Sequence, residues 1–81
     1  MRTEDKWIVR IHNDNVNTFP GVTLVLEELL GWPVDACWAT AERIHTTGSA
    51  ELEPPVSAPE AENVVAALQI RGLRATLRRV G

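Results

Sequence analysis

Trp7, Val9 and Ile11 alternate with Ile8, Arg10 and His12. A period of two puts each set on its own face of a half-buried strand. The alternation breaks at His12-Asn13-Asp14-Asn15-Val16-Asn17-Thr18-Phe19, where three amides and a carboxylate fall within five residues. From there the apolar period lengthens to that of a helix, through Val22, Val25, Leu26, Leu29 and Leu30. Thr18 is a suitable N-cap, Pro20 fits the first turn, where its missing N–H costs little, and Gly31 supplies a left-handed stop. Pro33 and Asp35 open a second helix whose apolar face runs Val34, Cys37, Trp38, Ala41, Ile44 and His45, closing at Gly48. A histidine at the end of an apolar stripe needs a reason.

Ser49 to Val56 reads as a short strand interrupted by Pro54 and Pro55, which places it at a sheet edge, because proline cannot donate to a ladder. Ser57-Ala58-Pro59-Glu60 fits a capping box, with Glu60 and Glu62 at the positive end of the following helix. That helix buries Ala61, Val64, Val65 and Leu68 and stops by Gly72. Leu73, Ala75 and Leu77 then alternate with Arg74, Thr76 and Arg78 as a last strand. The order β-α-α-β-α-β predicts an α+β domain, with three helices packed on one face of a small, three-stranded, largely antiparallel sheet.

Composition narrows the function classes more than the fold. Eighty-one residues support one modest core and no cleft between domains. The split expected is a short flexible N-terminus at 1–6 and a single domain over 7–81. A net charge of -3 does not favour a phosphate backbone. The arginines Arg71, Arg74, Arg78 and Arg79 read as the solvated face of the last strand, with no aromatic series beside them for stacking. One cysteine, Cys37, cannot form an internal disulfide, and it reads as a small buried hydrophobe in a reducing cytosol. No stretch approaches the ~20 apolar residues of a spanning helix.

Asn13, Asp14 and Asn15 have a plain role as turn formers, since their side chains bond back to nearby backbone. The same groups are a compact donor and acceptor set at a strand-to-helix junction, where sites tend to sit. A calcium loop does not fit: no glycine stands at the sharp turn, and Leu24 holds the place of the bidentate glutamate. His12, Cys37 and His45 match no metal spacing. His45 could serve simply as a cation at a helix C-terminus, or offer a neutral imidazole nitrogen as an acceptor. No nucleophile constellation, phosphate loop or cofactor motif is present, so the chain reads as a non-enzyme without a cofactor.

Taken together, Asn13-Asp14-Asn15-x-Asn17-Thr18-Phe19, the ending Ile44-His45-x-x-Gly48-Ser49-Ala50, and Arg71-Gly72-Leu73-x-Ala75-Thr76 resemble the ClpS adaptor family, over roughly Lys6 to Val80. The resemblance implies a cytoplasmic adaptor core domain over 7–81. Such a domain binds the free α-amino group and bulky first side chain of N-degron substrates starting with Leu, Phe, Tyr or Trp. It presents them to a Clp-family AAA+ unfoldase by docking on the unfoldase's N-terminal domain, with no part for nucleic acid or membrane. Carried over residue by residue, the amine falls to Asn13, Asp14 and His45, and the substrate backbone to Asn15 and Asn17. The hydrophobic pocket falls to Phe19, Val22, Ala41, Ile44 and Leu73.

An ammonium offers three donors, and carboxylate, amide oxygen and neutral imidazole are three fitting acceptors. With one side chain buried and ordering costs subtracted, a micromolar complex of about -8 kcal/mol is expected. Acidification that protonates the imidazole should weaken it. Many members carry aspartate where Asn15 stands, which leaves this loop one negative charge fewer. Ala41 stands where a methionine often guards the pocket mouth, so a roomier pocket, more tolerant of β-branched residues, is expected. Only Met1 to Lys6 precede Trp7, where relatives usually carry a longer extension used for substrate handover, so binding with weak delivery is a further expectation. Two other readings fit the topology: an interaction module like the C-terminal domain of the ribosomal stalk protein, without an amine pocket, and a small domain that senses a free amino acid.

Overall fold

The computed structural model describes residues 5–14 and 18–80. Its elements are β1 (Trp7–His12), α1 (Phe19–Leu30), α2 (Val34–Thr47), β2 (Ser49–Val56), α3 (Ala58–Ile70) and β3 (Arg74–Arg79). The sheet order is β2-β1-β3, antiparallel throughout, so the first strand of the chain is central. Val9 stands between Leu52 and Leu77, and Ile11 between Ala50 and Ala75. These residues form the inner face of the sheet. On it pack Val22 and Leu26 of α1, Cys37, Ala41 and Ile44 of α2, and Ala61 and Leu68 of α3, all in one buried cluster. All three helices therefore cover one face, as the alternation of the strands requires.

Local chemistry sets the ends. The Thr18 hydroxyl accepts from the Gly21 N–H at 3.1 Å, and the Ser57 hydroxyl accepts more weakly from the Glu60 N–H at 3.4 Å. Gly31 and Gly48 close α1 and α2 in the left-handed region, at φ 70° and 99°, where a side chain would be strained. In β2 the register shifts between the partners of Val9 and Trp7, which are Leu52 and Val56. The extra residues of β2 include Pro54 and Pro55, which have no N–H to give, and β2 is an edge strand.

Two side-chain expectations change. The inward stripe of α2 is narrower than its sequence pattern: Cys37, Ala41 and Ile44 are buried, while Val34, Trp38 and His45 are exposed. Ile8, on the strand face away from the helices, is nonetheless buried. Arg10 follows it on the same face and Arg78 stands opposite it. Both arginines are drawn onto Glu51, with Arg10 Nη2 2.7 Å from Oε2 and Arg78 gripping both oxygens at 2.9 Å. Both arginines thus stand beside Ile8 on this face, one as its cross-strand partner and one two residues on. Arg78 and Arg79 are thus not simply solvated, since Arg79 also pairs with Asp5 at 3.1 Å. Among the described residues, no helix is long and apolar enough to cross a membrane.

Candidate functional site

The polar loop leaves β1 at His12, the last rung of the ladder, opposite Ser49 and Arg74. The Asn13 N–H donates to the Gly48 carbonyl at 2.8 Å. This bond pins the start of the loop to the end of α2, three residues past His45. Thr18 then caps α1 and delivers Phe19 as its first residue. The local sequence therefore joins the two places from which the amine acceptors were expected.

Between them lies a small hollow walled by Ile11, His12, Asn13, Asp14, Val22, Ile44 and Leu73. Five of the residues expected at the site meet here: Asn13 and Asp14 as the polar part, Val22, Ile44 and Leu73 as the apolar part. Val22, Ile44 and Leu73 are 8%, 3% and 4% exposed, so the floor is continuous with the core. The His12 ring bonds Thr76 through Nε2 at 2.8 Å.

Three expected residues are not among the walls. Ala41 is buried in the core. Phe19 is half-buried, tilted against Trp38 with ring centroids 4.4 Å apart. The His45 imidazole is exposed and meets the other side of this group, edge-on to Phe19 at 6.2 Å. Asn15 and Asn17 lie outside the described residues. The short side chain at Ala41 has also not left the hollow roomy. It holds about 10 Å³, space for roughly one water molecule, because Ala41 belongs to the core and not to its wall.

The charge pattern nearby is simple. Burial, then the Glu27 and Asp35 carboxylates, push the Cys37 thiol above its ordinary value, which keeps it protonated and inert. Its Sγ donates weakly to the Trp32 carbonyl at 3.7 Å. Among the described residues, no group of three or more His, Cys, Asp or Glu side chains is placed to hold a metal ion.

Comparison with protein families sets this geometry in context. The family model of the ATP-dependent Clp protease adaptor protein ClpS matches residues 2–76. The chain belongs to the ClpS family. None of the curated proteins compared with the chain matches it. Membership makes the protein a Clp protease adaptor in the broad sense and brings interaction with Clp protease components.

Within this ClpS-family domain, two features had not been singled out by sequence. One is Trp38, half-exposed beside Phe19, which the helical period had assigned to the core. The other is a larger apolar hollow of about 140 Å³ toward the Trp7 end of the sheet, between Leu30, Trp32, Leu52, Pro54 and Val64. Its walls come from four elements and the α1–α2 turn, so no local pattern could announce it.

Proposed function

We propose that this ClpS-family protein is a cytoplasmic, non-enzymatic adaptor. It binds the free amino terminus and bulky hydrophobic first side chain of a substrate and presents it to a Clp-family unfoldase. The observation that carries the reading is the convergence of Asn13 and Asp14 with Val22, Ile44 and Leu73 on one hollow. An amide and a carboxylate stand over an apolar floor. That arrangement suits an ammonium joined to an apolar side chain: the cation takes charge-assisted hydrogen bonds while the side chain leaves water.

His45 completes the amine site by turning its imidazole toward the loop, a movement its exposed position leaves free. Phe19 shifts with it to admit the first side chain, with Ala41 behind. Asn15 and Asn17 hold the first peptide units. Ligand binding in this domain is therefore an opening of a nearly closed site, and the measured affinity includes the cost of opening.

The test is a fluorescence-anisotropy titration with Phe- and Leu-starting peptides, free and N-acetylated. Acetylation removes the charge and two donors, so the free peptides should bind in the micromolar range and the acetylated ones at least tenfold more weakly. His45→Ala should weaken the free peptide and leave the acetylated one unchanged. Equal binding of free and acetylated peptides would refute the amine site. A free amino acid competing as well as a peptide would favour the amino-acid-sensing reading instead.

A further inference from the structure

The aromatic group beside the hollow continues past the residues that hold the amine. Trp38 is 50% exposed although it is the largest side chain on α2. Phe19 lies against it, ring centroids 4.4 Å apart at a 58° tilt, and Phe19 in turn reaches the His45 ring at 6.2 Å. His45, Phe19 and Trp38 thus form an unbroken surface strip. Trp38 and His45 are seven residues apart on α2, about two turns and ~10.5 Å along the axis, and nearly on the same line of the helix. An extended peptide advances about 3.3 Å per residue. If its amine lies at His45 and its chain follows the strip, its third residue lies about 6.6 Å beyond its first, and a long side chain spans the remaining distance to Trp38.

The charges around Trp38 select what that residue is. Asp35 and Glu42 lie about 40–60° round α2 from Trp38, on the side away from Cys37, Ala41 and Ile44, and both are exposed. The arginine of α2, Arg43, lies about 140° round the helix from Trp38. A half-exposed indole edged by carboxylates and far from a competing cation suits a guanidinium or ammonium on a long apolar stem.

We propose that Trp38, with Asp35 and Glu42, is a second subsite that receives a basic side chain at the third position of the bound peptide. This rests on the amine-site reading above. It makes Trp38 a specificity-determining residue, acting on the choice among substrates that already carry a hydrophobic first residue. The stem of the Lys or Arg lies along the indole, and its cation sits over the ring and toward the carboxylates. An acidic third residue meets like charge at the same place and is disfavoured.

The experiment compares peptides of one length that begin Phe-Ala-Arg, Phe-Ala-Ala and Phe-Ala-Asp, with free amines. Arg should bind about fivefold tighter than Ala, the size of a partly exposed cation–π contact, and Asp should bind more weakly than Ala. Trp38→Leu keeps an apolar support for Phe19 and removes the ring face, so it should bring the Arg-to-Ala ratio to about one, whatever it does to the affinity for Phe-Ala-Ala that both peptides share. Asp35→Asn with Glu42→Gln, at exposed positions, should lower the ratio and its dependence on salt. If wild type binds all three equally, or if Trp38→Leu keeps the ratio, the subsite is refuted while the amine site stands. If no Phe-starting peptide binds, the amine site itself fails and takes the subsite with it.

Discussion

Ile44→Val separates a side chain that only packs from one that packs and also lines a ligand pocket. Ile44 is 3% exposed and belongs both to the core cluster and to the wall of the hollow. Removing one methylene from such a site costs about 1 kcal/mol of stability. For a domain of this size that lowers Tm by roughly 4–8 °C. If the first side chain of a substrate enters against Ile44, the same change should tighten binding. The free protein holds a hollow of about 10 Å³, so a ligand must displace wall contacts before it can make its own. In the variant part of those contacts is already gone, and a Phe or Trp side chain fills the space left by the methylene. At about 0.8 kcal/mol per buried methylene, the gain is roughly fourfold in Kd. Thermal unfolding and peptide anisotropy on one preparation would then move in opposite senses, with lower Tm and lower Kd. A fall in Tm with an unchanged or weaker Kd for Phe- and Trp-starting peptides would show that the first side chain does not enter beside Ile44.

Two further outcomes concern stability. Arg78, and then Arg10, hold the Glu51 carboxyl at about 2, against an ordinary 4.5. A carboxyl depressed in the folded state stabilises fully above its unfolded value, and that share is lost as pH falls from about 4.5 toward 2. Tm should therefore drop more steeply between pH 5 and pH 3 in wild type than in Glu51→Gln, and parallel curves would remove Glu51 from the account. Thr18→Ala deletes the cap on the Gly21 N–H and should cost about 1 kcal/mol. In a urea titration this appears as a lower midpoint with an unchanged slope, and a midpoint within error of wild type would mean that water replaces the cap.

The elements were legible because each carries its own period and punctuation. Val9 and Ile11 alternate with polar neighbours, Thr18 and Ser57 stand ahead of helices, and Gly31 and Gly48 stop two of them. Edge placement of β2 followed from Pro54 and Pro55 alone. What the sequence hid depends on partners far along the chain. Glu51 meets Arg78 and Arg10 from 27 and 41 residues away, and only the register of three strands brings them together. Ile8 reads as a surface residue until those arginines are placed beside it. On α2, Val34 and Trp38 lie within about 60° of Ala41 round the helix, too close for periodicity to tell wall from surface. Packed between α1 and the sheet, α2 turns Cys37, Ala41 and Ile44 inward and leaves Trp38 outside against Phe19.

The candidate site shows the same division. The residue types proposed for its chemistry stand in the loop and at the end of α2, and Val22, Ile44 and Leu73 of its apolar wall were readable as inward positions. Its state was not readable, because the volume of a hollow is the small difference between large packed volumes. Phe19 stands outside the hollow's walls, at the junction of the polar loop and α1, with its ring 4.4 Å from that of Trp38 and 6.2 Å from that of His45. On the proposed reading, a ring that moves when the first side chain enters, and whose neighbour His45 would hold the amine, couples filling the hollow to gripping the chain above it. Discrimination among first residues should then depend on how far Phe19 has to travel, and not only on how well the final pocket fits.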